Sequence, residues 1–212
     1  MTPKKLKEML DTRPESVAIL ALGRSKQDYI SLQINEGRQE DFVDEVWGVN
    51  AAFEAFKVDK IWHMDDVRVV AKDHKRYGQD LKKAQVPLIT SVAYPEFKSS
   101  VAFPLQQVIK ATGQDYMNST VAFAMAYAGA IGVKKLFLFG CDFSYPDPYR
   151  AERGGACAEF WVGWLKARGC EVHIPMSSEL LDACYMQIVG DPPRPVRAFY
   201  GYEKQPHFAT GE

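Results

Sequence analysis

Residues 16–23 read SVAILALG, in which six apolar residues follow Ser16 without interruption up to Gly23. The run is too short for a globular helix of average length, and polar residues do not alternate with the apolar ones. A strand buried on both faces has this pattern, and such strands occur in parallel sheets. The segment therefore predicts a buried parallel strand that ends in a tight turn.

The same pattern recurs along the chain. Further short apolar segments lie at residues 46–49, 60–63, 86–89, 135–139 and 171–174, and residues 101–103 offer one more. Helices are predicted between them, at residues 26–35, 51–56, 66–84, 120–132 and 152–168, with a loop over 143–151. Strands that alternate with helices are typical of doubly wound sheets. We expect an α/β, Rossmann-like fold with a mostly parallel sheet of about six strands and helices on both faces.

Length and composition favour one domain. For 212 residues we assign residues 1–189 to a single nucleotide-binding α/β domain and residues 190–212 to a Pro-rich C-terminal tail. No apolar run reaches the ~18 residues of a membrane span, and no apolar segment follows the charged start as in a signal peptide. The four cysteines lack C-x-x-C spacing, so we expect reduced thiols in a cytoplasmic protein without a membrane partner.

The charge balance argues against a general nucleic-acid binder, because the net charge is -1 and the pI is near 6.4. One local basic cluster stands out, and we interpret it as a solvated helix face rather than a nucleic-acid patch. Its members are Lys72, Lys75, Arg76, Lys82 and Lys83.

Polar and flexible residues gather where the predicted strands end. They are residues 23–25, Asn50, residues 63–66, residues 90–91 and residues 140–142. Right-handed crossovers bring the carboxyl ends of parallel strands to one edge of the sheet, and ligands of such sheets bind there. The sequence therefore predicts a binding site at this edge.

The turn Gly23-Arg24-Ser25 follows the first strand and opens a helix. Glycine permits close approach of a ligand, the helix N-terminus favours an anion, and Arg24 can bind a phosphate through two hydrogen bonds. The turn lacks both G-x-G-x-x-G and the P-loop pattern, so neither an NAD enzyme nor a Walker ATPase is indicated. The alternative interpretation is an ordinary strand-to-helix turn.

Asp65 and Asp66 follow the third predicted strand. Adjacent carboxylates can hold Mg²⁺ or Mn²⁺ and so neutralise a diphosphate. Alternatively, Asp66 caps the next helix and Asp65 is solvated. His63, one of three catalytic candidates with Asp65 and Asp142, can act as a base or simply be a hydrogen-bonded residue at the end of a strand.

Two more segments belong to the same edge. Asn118-Ser119-Thr120 begins a helix and can bind a phosphate or sugar, with capping as the alternative. Asp142 suits a ribose hydroxyl or a metal. Phe143 and Tyr145 follow it and are counted among the ligand-binding candidates. A phenol such as Tyr145 or Tyr149 can stabilise a leaving phosphate oxygen.

These segments together resemble two known groups. They read ALGRS at residues 21–25, NST at 118–120 and LFLFGCDF at 136–143, with Asn50 ending the second strand. This pattern resembles a bacterial sialyltransferase family, and it is similar to the MptE-like 6-hydroxymethyl-dihydropterin pyrophosphokinases. Both groups have a Rossmann-like fold with a Gly-x-Gly-x-Ser-type first loop and an apolar strand that ends Gly-x-Asp-Phe. The resemblance covers residues 16–175.

The resemblance implies nucleotide contacts from Gly23, Ser25, Asn50, Ser119, Thr120, Gly140 and Asp142. The chain departs from the family pattern at Ala21, where the family has Gly, and at Arg24, where it has Pro. The sialyltransferases use a histidine after Gly-x-Asp-Phe as base, and the one in reach here is His173.

We interpret the chain as a nucleotide-dependent transferase, in the first place a glycosyltransferase with a nucleotide-sugar donor. One alternative is a pyrophosphokinase that moves diphosphate from ATP to a small alcohol such as a pterin. Another is a non-catalytic nucleotide-binding module. The acceptor stays open between a sugar, a pterin and a modified DNA base, and the sequence predicts no particular oligomeric state.

Overall fold

The computed structural model describes residues 3–35, 37, 42–144, 146–175, 177–181, 185–186 and 196–197. Its main sheet has seven strands in the order β5-β4-β3-β2-β1-β6-β7, and all neighbours are parallel. The strands are β1 (Ser16–Leu20), β2 (Glu45–Val49), β3 (Lys60–Trp62), β4 (Leu88–Thr90), β5 (Ser100–Ala102), β6 (Lys135–Phe139) and β7 (Glu171–His173). The predicted Rossmann-like α/β fold is confirmed.

Helices cover both faces of this sheet. They are α1 (Pro3–Leu10), α2 (Lys26–Asn35), α3 (Ala52–Ala55), α4 (Val67–Asp73), α5 (Lys75–Lys83), α6 (Leu105–Thr112), α7 (Thr120–Ile131) and α8 (Pro148–Ala167). Val17 and Ile19 of β1 pack in the core with α6, α7 and α8, while Ala18 and Leu20 pack with α2 to α5. The unbroken apolar run of β1 is thus explained, because each of its faces lies against a layer of helices.

The seventh strand is formed by residues 100–102, which pair with β4, in agreement with the further strand predicted at 101–103. Two predicted elements need correction. The single helix predicted over 66–84 is two helices, because His74 leaves the helical conformation with φ -122° and ψ 79°. The chain then folds back so closely that a side-chain carbon at Gly78 would clash with Ala71. The loop predicted over 143–151 ends early, because Asp147 accepts a hydrogen bond from the Arg150 backbone N–H and starts α8 at Pro148.

Several predictions concern residues at the C-terminal end. Residues 185–186 and 196–197 form two short strands, β8 (Tyr185–Met186) and β9 (Val196–Arg197), which pair antiparallel. The rest of the predicted tail at 190–212 lies outside the described residues, so the domain limit stays a prediction.

Cys141, Cys157 and Cys170 are free and buried, and Cys184 falls outside the described part. None of the described helices is long and apolar enough to cross a membrane.

The strand order creates one switch point. Within the sheet, β2 to β5 are added one after another on one side of β1. The chain then crosses back and adds β6 and β7 on the other side of β1, so the strand order reverses between β1 and β6. The connections that follow β1 and β6 therefore leave in different directions at the carboxyl edge. A crevice forms at such a point in open α/β sheets.

Candidate functional site

The loops after β1 and β6 are joined by their backbones at the switch point. The Ala21 N–H donates to the Phe139 carbonyl over 2.8 Å, and the Gly23 N–H donates to the Gly140 carbonyl over 2.9 Å. Gly140 has φ +67°, and a side-chain carbon there would clash with the Ala21 carbonyl. Only glycine fits where the two loops cross, so the close approach of the loops explains the glycine of the Gly-x-Asp-Phe segment.

Ser25 and Asp142 link the same two loops through hydrogen bonds. The Ser25 N–H donates to Asp142 Oδ2 over 2.7 Å, and the Ser25 hydroxyl donates to Asp142 Oδ1. The Gly140 N–H in turn donates to Ser25 Oγ over 2.8 Å. Ser25 is fully buried and Asp142 is 4% exposed. Both carboxylate oxygens are engaged, so this geometry favours a bracing role for Asp142 over contact with a ribose or a metal.

An open cleft lies above these loops, and we call it the switch-point cleft. One part, of about 430 Å³, is lined by the loops after β1 and β6. A second part, of about 530 Å³, extends towards α7 and α8, and the two share Val49, Asn50, Val121 and Phe143. The cleft brings together most of the predicted ligand-binding residues: Gly23, Arg24, Asn50, Ser119, Thr120, Gly140 and Phe143. Tyr145 lies outside the described residues.

The N-terminus of α7 forms one wall of the cleft. Ser119 Oγ accepts a hydrogen bond from the Ala122 N–H at 3.2 Å, so Ser119 is the capping residue. Thr120 Oγ1 accepts from the Met64 N–H at 3.4 Å, which ties α7 to the end of β3. The Asn118 carboxamide donates to the Arg153 carbonyl at 2.9 Å. These hydrogen bonds within the protein hold the N-terminus of α7 in place.

The start of α8 forms another part of the wall, and sequence reasoning missed two residues there. Arg150 and Arg153 line the cleft and are exposed, and no carboxylate among the described residues lies within ion-pair distance of either. The Arg153 guanidinium lies over the Tyr149 ring at 5.4 Å. The signal was present in the sequence, since an aspartate followed by proline is a typical helix start and would have put both arginines on one helix.

The predicted metal pair does not form a prepared cation site. The Asp66 carboxylate caps α4, accepts from the Arg68 N–H at 2.9 Å and pairs with Arg68 Nη2 at 2.7 Å. Arg68 lowers the pKa of Asp66 to about 2. Asp65 is exposed on the cleft wall. Within the described ranges, no three His, Cys, Asp or Glu side chains are grouped closely enough to hold a metal ion.

His63 lies beside the cleft at the end of β3 and is 2% exposed. Its Nδ1 is 3.3 Å from the Asp65 carbonyl. A carbonyl can only accept, so Nδ1 carries the hydrogen and Nε2 keeps a lone pair. Burial lowers the pKa of His63, and the Asp65 carboxylate only partly offsets this. Burial therefore favours the neutral form of the ring.

His63 belongs to a second cavity, of about 580 Å³, which we call the β3 cavity. It is lined by Asn50, Ala51, Glu54, His63, Asp65, Val70, His74, Lys75, Arg76 and Tyr77. Asn50 and Asp65 also line the switch-point cleft, so the two spaces adjoin. Asn50 has φ 51°, rare for a residue with a side chain, and its buried Oδ1 has no hydrogen-bond partner. His173 instead stacks on Phe137, with ring centroids 4.5 Å apart, and lines a different cavity.

Together, the sheet and the cleft at its switch point define a Rossmann-like α/β protein. Two solved structures of the sialyltransferase CstII from Campylobacter jejuni are similar to it. One, in complex with the substrate analogue cytidine-5'-monophosphate, has a TM-score of 0.50 and 15% sequence identity and covers 79% of this chain and 82% of its own. The other, in complex with CMP-3FNeuAc, has a TM-score of 0.50 and 14% identity and covers 75% of this chain and 79% of its own.

At this level of identity the similarity shows the fold alone. No known family model matches the sequence. No curated protein matches it at a significant level either.

Proposed function

We propose that the protein is a glycosyltransferase that uses a nucleotide-sugar donor. The observation that carries this proposal is the convergence of a capped helix N-terminus and two unpaired arginines on one cleft at the switch point. The similar CstII structures hold a cytidine nucleotide or a CMP-sugar analogue, which supports the same class of ligand here.

The donor would lie along the switch-point cleft. Gly23 and Gly140 line this cleft where the loops after β1 and β6 cross, and the nucleoside would lie against the backbone of these two loops. Arg150 and Arg153 line the same part of the cleft as the N-terminus of α7 and would bind the phosphate. Negative charge develops on the leaving phosphate in the transition state, so the same guanidinium groups would stabilise the reaction as well as the ground state.

His63 is the proposed general base. The acceptor hydroxyl oxygen forms a bond to the anomeric carbon of the donor sugar, and the bond from that carbon to the phosphate oxygen breaks. The electron pair of the broken bond goes to the phosphate, and the acceptor proton goes to His63 Nε2. Asp65 holds the ring through its backbone carbonyl, which makes it a positioning residue in this scheme.

The pyrophosphokinase alternative depends on neutralising a transferred diphosphate with a bound cation. Asp65 and Asp66 were the predicted cation ligands, and Asp66 is already occupied by Arg68. The geometry thus favours the glycosyltransferase. Turnover of a nucleotide sugar distinguishes it from a non-catalytic binding module.

The test is a calorimetric titration with CMP, UDP, ATP and CMP-N-acetylneuraminate, each with and without Mg²⁺. We expect a cytidine or uridine compound to bind without Mg²⁺, and at 100 times its Kd to stabilise the fold by ~2.7 kcal/mol. The double variant Arg150→Gln/Arg153→Gln should bind at least ~10-fold more weakly, since each lost charge-assisted hydrogen bond is worth about 1.5–3 kcal/mol.

Lys166→Gln is the matched control, because Lys166 is exposed in the last turn of the same helix. Equal affinity in the double variant and the control would contradict the assigned phosphate site. Binding of ATP alone, and only with Mg²⁺, would favour the pyrophosphokinase. Absence of any nucleotide binding would overturn the proposal.

A further inference from the structure

The helix α5 begins without the features that normally stabilise a helix N-terminus. Its N-cap residue His74 makes no side-chain hydrogen bond to the helix, and the first turn has no acidic residue. Instead Lys75 and Arg76 open the helix, where the partial positive charge of the helix dipole disfavours cations. This is an electrostatically unfavourable arrangement in the free protein.

Neighbouring carboxylates compensate the two cations only weakly. Both Lys75 and Arg76 are exposed, and Lys75 has no ion pair within the described part of the chain. Arg76 is 3.8 Å from Asp80, with a side chain that is 94% exposed, and such pairs contribute little. An anion from outside the chain would satisfy the helix N–H groups, the dipole and both cations together.

The same residues form the rim of the β3 cavity, and its inner wall holds unsatisfied polar groups. Tyr77, in the first turn of α5, is 8% exposed, and its buried hydroxyl has no hydrogen-bond partner. Buried polar groups are nearly always paired in native proteins, so this unpaired hydroxyl in a residue of the cavity wall is a candidate partner for a bound molecule. The unpaired Asn50 Oδ1 in the same wall is a second group of this kind.

We propose that the β3 cavity is the acceptor site of the transferase and that its acceptor is a small hydroxyl compound bearing a carboxylate or phosphate group. The anionic group would be bound at the N-terminus of α5 by Lys75 and Arg76. This inference rests on the proposed function, because it needs a donor in the adjoining cleft.

The charges of the cavity give the acceptor one orientation. Glu54 and Asp65 lie near the Tyr77 hydroxyl, and with burial they raise the pKa of Tyr77. These carboxylates repel an anion from the inner wall and accept hydrogen bonds from hydroxyl groups there. The anion therefore lies outward at α5 and the hydroxyl groups inward, beside His63 and next to the switch-point cleft.

The test measures binding of matched probes by calorimetry and saturation-transfer NMR. The first set is methyl β-D-glucoside, methyl β-D-glucuronide and glucose 6-phosphate, and the second is glycerol, glycerate and glycerol 3-phosphate. We expect an anionic member to bind at least ~10-fold tighter than its neutral counterpart, with an affinity that falls as salt rises. Tighter binding by the phosphate or by the carboxylate identifies which group the site prefers. Equal binding across each set would overturn the inference.

The variant Lys75→Glu locates the anion. It should lose the preference for anionic probes and keep or raise the melting temperature, because a carboxylate suits a helix N-terminus. Loss of binding thus cannot be attributed to unfolding. Lys83→Glu is the control, since it makes the same charge change at the other end of α5 and should bind the probes as the wild type does. Anion preference unchanged in Lys75→Glu would overturn the inference.

A parallel titration with CMP separates this inference from the proposed function. CMP binding that is equal in wild type and Lys75→Glu, together with loss of anionic probes in the variant, supports both. CMP binding without any preference for anionic probes overturns the acceptor site alone. Absence of CMP binding overturns the proposed function, and the acceptor role with it.

Discussion

The junction of β1 and β6 and the β3 cavity lie at the same edge of the sheet, but their polar groups are in opposite states. At the junction Ser25, Gly140 and Asp142 satisfy one another through short buried hydrogen bonds. In the cavity the Asn50 carboxamide oxygen and the Tyr77 hydroxyl are buried without partners. Buried polar groups are nearly always paired in native proteins, so the unpaired groups of the cavity are the ones that remain open to a bound molecule. On this comparison we propose a structural role for Ser25, Gly140 and Asp142 and a ligand-binding role for Asn50 and Tyr77.

The largest expected effect is on turnover in His63→Gln. Loss of a general base should lower kcat by ~10²–10⁴-fold, while the affinity for the nucleotide stays unchanged because His63 does not line the donor cleft. His173→Gln is the control and should turn over normally, since His173 lines a different cavity. Full activity in His63→Gln, measured by release of nucleotide from the donor, would remove His63 from the mechanism.

A general base at His63 predicts how the reaction depends on pH. The titratable and charged groups that line its cavity with it are Glu54, Asp65, His74, Lys75, Arg76 and Tyr77. Burial holds the pKa of His63 below its ordinary value despite the Asp65 carboxylate, so the neutral base should persist below the ordinary imidazole pKa of ~6.5. We expect kcat/KM to be level above about pH 6.5 and to fall only at lower pH, measured in a series of buffers. A fall that is already complete at pH 7 would contradict a neutral, buried base.

Asp142→Ala should affect stability rather than chemistry. It leaves the Ser25 N–H and hydroxyl buried without their acceptor, so the free energy of unfolding should fall by about 3 kcal/mol. Ser25→Ala and the double variant complete a mutant cycle, measured by urea unfolding, in which the two single losses should not add. Unchanged stability with lost nucleotide binding would show that Asp142 contacts the ligand instead.

For Tyr77→Phe we expect the free energy of unfolding to stay equal or to rise, in contrast to Asp142→Ala. Removal of a buried hydroxyl that has no partner should leave the stability of the free protein equal or raise it by about 1 kcal/mol. Tyr29→Phe is the comparison, because the Tyr29 hydroxyl accepts a hydrogen bond from Gln33 at 3.3 Å, and its loss should destabilise by ~0.5–1.5 kcal/mol. Destabilisation of Tyr77→Phe by as much as Tyr29→Phe would mean that its hydroxyl is already satisfied in the free protein.

The smallest effect is expected for Lys75→Glu on the free protein. Replacing a cation by an anion in the first turn of α5 should stabilise the fold by ~0.3–1 kcal/mol at low salt, and the gain should shrink as salt rises. Thermal unfolding at two salt concentrations measures it. A loss of stability would indicate that Lys75 has a structural partner.

Local patterns predicted most of the fold and the position of the switch-point cleft. Buried strands such as 16–20 and 135–139 have continuous apolar sequences, and parallel strands place their ends at one edge. Gly23, Asn50 and Gly140 lie together in one cleft at those ends, as the sequence predicted, whereas their roles stay predictions and residues 90–91 line neither the switch-point cleft nor the β3 cavity. The pairing between Ser25 and Asp142 spans 117 residues, and no local pattern reveals such a contact.

The β3 cavity could not be predicted for the same reason. Asn50 and His63 become neighbours because Val49 pairs with Trp62 in the register of β2 and β3. Tyr77 joins them because the chain folds back at His74, within a segment whose composition resembles one continuous helix. The start of α8 is different, because the capping aspartate and proline at 147–148 were a local signal of a helix.

The most direct measurement of the central claim is a titration of ¹⁵N-labelled protein with CMP, followed by amide shifts. Binding in the switch-point cleft should move the amide signals of Gly23, Arg24, Ser119, Gly140 and Arg150, and leave those around Phe137 and His173 in place. Shifts confined to the Phe137 and His173 region, or none at millimolar CMP, would contradict nucleotide binding at the switch point.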